Sequence, residues 1–308
     1  MEKVALIIIY NHKFDQNIDV LERLYQHRFS HIYHLVPFYT GNKENVIPVY
    51  ENSFYFQGYV AQGLQSFYKE AYGHYFFVAD DLVINPLINE HNYREHLGLQ
   101  EHSCFLPEYI NLHECNKAEK RWERIIEAFH FKLNNTYGVE TKNECPDYAG
   151  ALQAFEKHGL HIGPFQYHQI TTPVNKPDWM KWKEVKAYLM WKLRLYKKRH
   201  KLYHAYYPVL GSYADIFVVS AHTIKQFAHY CGVFAANKLF VEFAIPTAMA
   251  LAAEEIVIEK NIQLHGKALW TVEELMLLDK YDFSINKLMS DFPRGFLYLH
   301  PIKLSKWK

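Results

Sequence analysis

Short apolar runs alternate with helical patterns through the first 90 residues, and this alternation constrains the fold most. The runs VALIIIY (4–10), HIYHLVPF (31–38) and HYFFVADD (74–81) are rich in β-branched and aromatic residues, which predicts three buried strands. The segments between these runs space their apolar residues at helical intervals, and VIPVYE (46–51) resembles a short edge strand. We therefore predict an α/β fold with a mostly parallel central sheet flanked by helices.

The composition favours a globular protein with a large core. Of the 308 residues, 49% are apolar and 17% aromatic, and a net charge of +1 argues against nucleic acid as a partner. The four cysteines form no C-x-x-C pair, so neither a zinc ribbon nor a disulfide framework is predicted. The first apolar run is too short to span a membrane and lacks the features of a secretory signal, so we expect a cytoplasmic protein.

The remaining sequence predicts an insertion rather than a second domain. We expect one domain over residues 1–308, in which a helical and loop-rich portion, 91–205, separates a first part, 1–90, from a last part, 206–308. Within the insertion, AEKRWERIIEAFHFKLNNTYG (118–138) is predicted to be helical. The last part is predicted to contain a strand, two helices and a late strand.

A strongly basic segment, 178–203, ends the insertion. Its sequence DWMKWKEVKAYLMWKLRLYKKRHKLY keeps an apolar stripe at helical spacing: Val185, Tyr188, Leu189 and Leu193. One interpretation is a solvated cationic face. Another is docking on an anionic membrane surface, where Trp182 and Trp191 would anchor the helix near a lipid-linked acceptor. RNA binding is a third, although no known RNA-binding module accompanies the segment.

Two adjacent carboxylates, Asp80 and Asp81, end the third predicted strand. Carboxylates at the carboxyl end of a parallel strand face the crevice where α/β sheets bind ligands. A hard divalent ion, Mg²⁺ or Mn²⁺, would offset their mutual repulsion and neutralise a bound diphosphate. The alternative is that Asp81 or Asn85 caps a turn or helix after the strand, while Asp80 is simply solvated.

The order of LIIIYN, FYFQGYVAQGL and YFFVADDLVIN resembles glycosyltransferases of the GT-A fold. The segments LERLYQHRFSHIYHLVPF and ADDLVIN look most like the STELLO-related glycosyltransferases, over roughly the first 90 residues. The resemblance implies a GT-A-like, Rossmann-like domain whose first part binds the nucleotide and whose last part binds the acceptor. It also implies that an x-Asp-Asp element holds a metal ion and a nucleotide sugar.

The resemblance assigns roles residue by residue. Asp81 would be the metal ligand, with Mn²⁺ or Mg²⁺ as the cofactor, and Asp80 would contact the ribose or the metal. The other residues expected to face the nucleotide sugar, of which a UDP-sugar is the first choice, are Tyr10, Asn11, Gly58 and Gln62.

The late strand offers a second part of the same site. FLYLHPIKLS places His300 and Lys303 after a strand, where many GT-A enzymes carry a histidine that completes the metal site. Lys303 would neutralise a phosphate. Pro301 departs from the family pattern, and the alternative is an exposed tail whose histidine and lysine have no role in catalysis.

Sugar transfer with inversion requires a carboxylate that accepts a proton from the acceptor hydroxyl. Glu242 is a single charge within the apolar run KLFVEFAIPTAM, so we predict a buried base with a raised pKa. Asp215 precedes an apolar strand and is predicted to position the sugar or acceptor. The alternative for Glu242 is a core carboxylate paired with a nearby cation, and the alternative for Asp215 is a turn or helix cap. Neither catalytic role applies as stated if transfer retains configuration.

These expectations combine into one predicted function. The chain is expected to move a sugar from a nucleotide-diphosphate donor to a glycan or lipid-linked acceptor, as in surface polysaccharide or lipopolysaccharide-type synthesis, at the inner face of a membrane. A nucleotidyltransferase is one alternative, although YNHKFDQNID (10–19) lacks the Gly-rich loop that would hold a triphosphate. A catalytically degenerate scaffold with the same fold is the other.

Overall fold

The computed structural model describes residues 3–112, 124–133, 141–171 and 174–307. In these residues the strands are β1 (Lys3–Ile9), β2 (Ile32–Pro37), β3 (Val46–Val49), β4 (Tyr72–Ala79), β5 (Val83–Ile84), β6 (Ser103–Leu106), β7 (Phe165–Gln166), β8 (Leu202–Tyr203), β9 (Ile216–Ser220), β10 (Glu255–Ile258), β11 (His265–Ala268) and β12 (Phe296–His300). The helices are α1 (Asn17–Tyr25), α2 (Gln57–Phe67), α3 (Tyr93–Leu97), α4 (Ile125–His130), α5 (Tyr148–Glu156), α6 (Trp182–Lys198), α7 (Ile224–Ala236), α8 (Val241–Ala252), α9 (Val272–Leu275) and α10 (Ile285–Ser290).

The central sheet has seven strands within the described residues, in the order β10-β6-β9-β4-β1-β2-β3. Strands β4, β1, β2 and β3 are parallel, as are β10 and β6, whereas β9 is antiparallel to both of its neighbours. The predicted mostly parallel α/β sheet is therefore confirmed.

The chain order reverses beside β1. From β1 the chain continues outward to β2 and β3 on one side, and β4 then pairs with the other side of β1. The pairing of Ile9 with Ala79 places the two strand ends next to each other. In open α/β sheets this reversal leaves a crevice at the carboxyl ends, where ligands bind.

Strands β1 and β4 form the centre of the core. Every residue of β4 and every residue of β1 after Lys3 is buried, as expected for parallel strands covered on both faces. Each fully buried aliphatic or aromatic side chain contributes about 1.5–3 kcal/mol relative to exposure. The carboxyl ends of β1 and β4, at Ile9 and Ala79, are thus held by two buried strands.

The chain divides into two compact units, Met1–Tyr109 with Ser212–Lys308, and Ile110–Gly211. The first unit contains the seven-stranded sheet and a three-stranded sheet in the order β11-β12-β5. The second contains α4, α5, α6 and the β7–β8 ribbon. The predicted helix over 118–138 is described only in part, because 118–123 and 134–138 lie outside the described residues.

The helical segment expected within 178–203 is confirmed as α6. Among the described residues, no helix is both long and apolar enough to cross a bilayer.

Helices α2 and α7 meet through small residues. A Cβ atom on Gly58 would lie 3.1 Å from the Cβ of Ala235, and one on Gly232 would lie 3.3 Å from the Cβ of Ala61. Both distances are tight for carbon atoms, so a larger side chain at either glycine would push the helices apart.

We expect Gly58→Val to lower the free energy of unfolding by about 1–3 kcal/mol, because the added methyl groups overpack the contact with α7. Denaturant unfolding would measure the change. Gln65→Val is the matched control, since it places the same branched side chain at an exposed position of the same helix. Unchanged stability with weakened nucleotide binding would instead favour the nucleotide-contacting role predicted for Gly58.

Candidate functional site

Asp80 directly follows β4 and lies beside the carboxyl end of β1, where its backbone N–H donates to the backbone oxygen of Ile9 at 2.9 Å. Its side chain is buried; Oδ1 accepts the backbone N–H of Asn11 at 3.1 Å, and Oδ2 accepts Nδ2 of Asn17 at 3.3 Å. Burial and then the charge of Asp81 raise the pKa of Asp80 to about 7. The charged form of Asp80 is therefore costly at neutral pH unless a cation lies nearby.

Asp81 faces His300 because of a strand pairing. Two residues after Asp81, β5 begins, and β5 pairs antiparallel with β12, whose last residue is His300. The backbone oxygen of Asp81 accepts the N–H of Ile302 at 2.6 Å. The Asp81 Oδ1 atom lies 3.2 Å from Nε2 of His300, whose side chain is only 8% exposed.

Asp215 reaches the same site from the antiparallel strand β9. Because β9 runs against β4, its first residue lies beside the end of β4, and Ala79 donates its N–H to the backbone oxygen of Asp215 at 2.8 Å. Oδ2 of Asp215 lies 3.7 Å from Nδ1 of His300, and burial raises the pKa of Asp215. His300 thus lies between two carboxylates.

The two carboxylates set the charge of His300. Burial alone lowers the pKa of His300, but the negative charges of Asp215 and of Asp81, 3.2 Å away, outweigh burial, so the pKa is raised. His300 is therefore easier to protonate than a histidine in water when the site holds no cation.

We expect Asp215→Asn to lower the pKa of His300, because the variant removes one of the carboxylate charges that favour imidazolium. An NMR titration of the His300 ring in metal-free protein would measure this change. The exposed Asp279→Asn is the control, since it removes the same charge elsewhere on the first unit. An unchanged His300 pKa would contradict the geometry described above.

The Asp81–His300 pair fits a divalent cation. Two adjacent ligands of an octahedral ion, each at about 2.1 Å, are separated by roughly 3 Å, close to the observed O···N distance of 3.2 Å. Asp81 Oδ1 is also shielded from solvent, so a cation beside it, either the protonated His300 or a metal ion, would offset the cost of burying the carboxylate.

The Asp81–His300 pair is small for a metal site. In the part of the chain that the structure describes, no group of three or more His, Cys, Asp or Glu side chains is arranged to hold a metal ion. Mg²⁺ commonly takes only one or two protein ligands and completes its shell with water and substrate phosphates. Asp81 and His300 therefore fit an ion shared with a phosphate ligand better than a closed structural site.

The first predicted nucleotide contacts differ in exposure. The side chain of Tyr10 is fully buried, and its hydroxyl lies 3.0 Å from Nδ1 of His34, so this side chain points into the core. Asn11 is half-buried at the crevice, and its backbone N–H is the group that binds Asp80.

The other predicted contacts are divided between α2, which carries Gly58 and Gln62, and the segment after β12, which carries Lys303. Gln62 is exposed on α2, and its Oε1 accepts the N–H of Tyr50 at 2.8 Å. Lys303 is exposed three residues after β12. Gly58 is buried against α7, where it allows close helix packing.

Glu242 lies in the first turn of α8 and is half-buried. Its backbone oxygen accepts the N–H of Ser212 at 3.0 Å, which brings the start of α8 next to the segment that leads into Asp215. The predicted raised pKa and proton-accepting role of Glu242 stay predictions.

Sequence reasoning missed four side chains near these strand ends. Asn17 binds Asp80 from the first residue of α1. Trp270 follows β11 and its ring centroid lies 5.5 Å from that of His300. Phe38 and Tyr50 follow β2 and β3 at the same carboxyl edge as Asp80; both are exposed, and their ring centroids lie 5.9 Å apart. For Phe38 and Tyr50, the available signal was an aromatic residue directly after β2 and directly after β3.

Comparison with known protein families and with curated proteins finds no match to this chain.

Proposed function

We propose that this protein is a metal-dependent glycosyltransferase of the GT-A type, which transfers a sugar from a nucleotide-diphosphate donor to a hydroxyl group. The observation that carries the proposal is the position of Asp80 and Asp81 at the strand-order reversal, with His300 opposite Asp81. This is the edge at which α/β sheets bind nucleotides, and its carboxylates suit a metal-bound diphosphate.

Asp81 and His300 would hold Mn²⁺ or Mg²⁺. When bound, the ion would supply the positive charge that neutralises the diphosphate leaving group. Asp215 then positions His300, because a carboxylate on the second ring nitrogen fixes the orientation of a ligating imidazole. Lys303, three residues further on, supplies a mobile cation for a phosphate oxygen.

The nucleoside would extend from this pair along the carboxyl edge. Asn11 and Asp80 offer polar groups to the ribose beside the metal ligands. Phe38 and Tyr50 lie two and three strands away from β4, at roughly 5 Å per strand, and present exposed rings for a base such as uracil. A UDP-sugar is therefore the donor that we would test first.

Glu242 is the general base in this proposal, for a transfer that inverts configuration. Its half-buried position next to the segment leading into Asp215 allows it to reach an acceptor hydroxyl while staying partly desolvated. The acceptor class proposed is a glycan or a lipid-linked glycan of surface polysaccharide synthesis, used at the inner face of a membrane.

Donor hydrolysis with Mn²⁺ and a panel of nucleotide sugars tests the proposal. Release of nucleoside diphosphate from one donor, dependent on metal, is the expected result. If the protein shows no turnover and no metal-dependent nucleotide binding, the result favours the catalytically degenerate scaffold. Release of pyrophosphate from a nucleoside triphosphate would favour a nucleotidyltransferase.

The roles of the two carboxylates can be separated in the same assay. We expect Glu242→Gln to lower kcat by about 100-fold or more with little change in metal affinity. Asp215→Asn should weaken metal binding instead, by about 10-fold or more, because it frees His300 to rotate. If Glu242→Gln weakens metal binding as much as Asp215→Asn does and leaves kcat unchanged, Glu242 is not the general base.

A further inference from the structure

We propose that the outward face of α6 docks on an anionic lipid bilayer. The surface consists of the exposed apolar residues of α6 together with the lysines beside them, and it belongs to the second unit. The inference does not depend on the proposed chemistry, because it concerns a surface that shares no residue with the crevice.

The apolar part of the surface faces solvent. Within α6, only Val185 is buried, although the helix is rich in large apolar side chains. Besides Met190, four of these are exposed, by 73%, 47%, 53% and 65%: Trp182, Leu189, Leu193 and Tyr196. Their spacing of seven, four and three residues places them on one helix face. Soluble proteins rarely expose such a stripe unless it binds a partner.

A second apolar face of α6 is shielded from solvent. Val185, Tyr188, Trp191 and Leu195 recur at three or four residues and are buried or half-buried. This face is the part of α6 that is shielded from solvent, so the exposed stripe is a separate face of the helix. Trp179 and Met180, which precede Lys181 at the start of α6, are also exposed.

The charge of α6 selects the partner. The helix contains six Lys or Arg residues and one acidic residue, Glu184, whose carboxylate lies 3.3 Å from Lys181 outside the helix. Lys186 and Lys197 follow Trp182 and Leu193 by four residues, so they border the exposed stripe. A positive border around an apolar stripe is complementary to anionic headgroups above acyl chains.

The aromatic residues support a bilayer rather than RNA. Trp182 and Tyr196, at the two ends of the exposed stripe, have the amphipathic rings that concentrate at the level of lipid headgroups. The helix of 17 residues is about 25 Å long and would lie in the plane of the interface. RNA phosphates would satisfy the lysines but would leave Leu189 and Leu193 in water.

Co-sedimentation of the full chain with vesicles tests the proposal, without donor or metal. We expect binding to vesicles of phosphatidylcholine with 30% phosphatidylglycerol, weakened by salt, and at least about 10-fold weaker binding to phosphatidylcholine alone. Leu189→Ser with Leu193→Ser should reduce binding about 10-fold or more, because it removes two apolar side chains from the interface.

Charge variants complete the test. Lys183→Gln, Lys186→Gln and Lys197→Gln together should weaken binding about 100-fold, whereas Lys157→Gln, Lys260→Gln and Lys306→Gln lose the same charge elsewhere and should have little effect. Asp81→Ala should bind vesicles like the wild type, so a failed chemistry and a failed docking surface remain distinguishable.

Three results would overturn the proposal. The first is no vesicle binding at low salt; the second is equal loss in both triple-lysine variants, which would indicate a nonspecific charge effect. The third is that the double variant Leu189→Ser, Leu193→Ser binds vesicles like the wild type but differs from it in self-association or in binding of a single-stranded RNA oligomer. Circular dichroism of each variant confirms that α6 is still folded.

Discussion

Asp81→Ala is expected to abolish metal-dependent binding of UDP and to reduce donor hydrolysis by at least about 100-fold. The variant removes the carboxylate oxygen that lies 3.2 Å from His300 and leaves the imidazole as a single ligand. One weak nitrogen ligand would not compete with water for Mg²⁺, which prefers oxygen donors. Calorimetry of UDP binding, with and without Mn²⁺, would measure the loss directly.

Two comparisons make this result interpretable. Asp279→Asn removes a surface charge of the same unit and should bind UDP and Mn²⁺ like the wild type. His300→Ala should resemble Asp81→Ala, because the two side chains would act on the same ion. If Asp81→Ala binds UDP with undiminished dependence on Mn²⁺, the ion lies elsewhere and the proposed site is wrong.

Asp80→Asn is expected to stabilise the metal-free protein at pH 8. The pKa of Asp80 is about 7 in the folded protein, against an ordinary value of 3.8. Between these values the folded state binds more protons than the unfolded state, so wild-type stability falls as the pH rises from about 4 to about 7. An uncharged asparagine avoids this loss, which is on the order of 2–4 kcal/mol for a shift of this size.

Thermal unfolding of both proteins at two pH values measures this effect. At pH 8 we expect the asparagine variant to melt roughly 5 °C or more above the wild type. At pH 4 the difference should disappear, because Asp80 is then protonated in the folded wild type. A variant that is destabilised at both pH values would show that Asp80 is held by compensating hydrogen bonds rather than strained by its charge.

The parallel half of the sheet was predictable from sequence because its strands carry a strong local signal. β1, β2 and β4 are nearly continuous runs of β-branched and aromatic residues. Such runs are typical of strands that are buried on both faces. The direction of β9 was not predictable, because an apolar strand has the same composition in either direction. Strands β6 and β10 are only four residues each, too short for a clear periodicity.

Parts of the site were visible in sequence for a related reason. Asp80, Asp81 and Asp215 each border an apolar run, so their position at a strand end follows from the pattern. The contact of His300 with both Asp81 and Asp215 required the pairing of β12 with β5, which no local pattern encodes. The burial of Tyr10 was equally hidden, because the side of the sheet that a strand residue faces depends on register.

The pairing of β5 with β12 also has a consequence for how the protein would acquire and lose the proposed activity. More than two hundred residues separate Asp81 from His300, so the two side chains meet only after one of the longest loop closures in the fold. A chain whose large sheet has formed but whose small sheet has not would therefore be compact and inactive. Inactivation on mild heating would then report the undocking of a single late strand, at temperatures where the far-ultraviolet signal of the large sheet is unchanged.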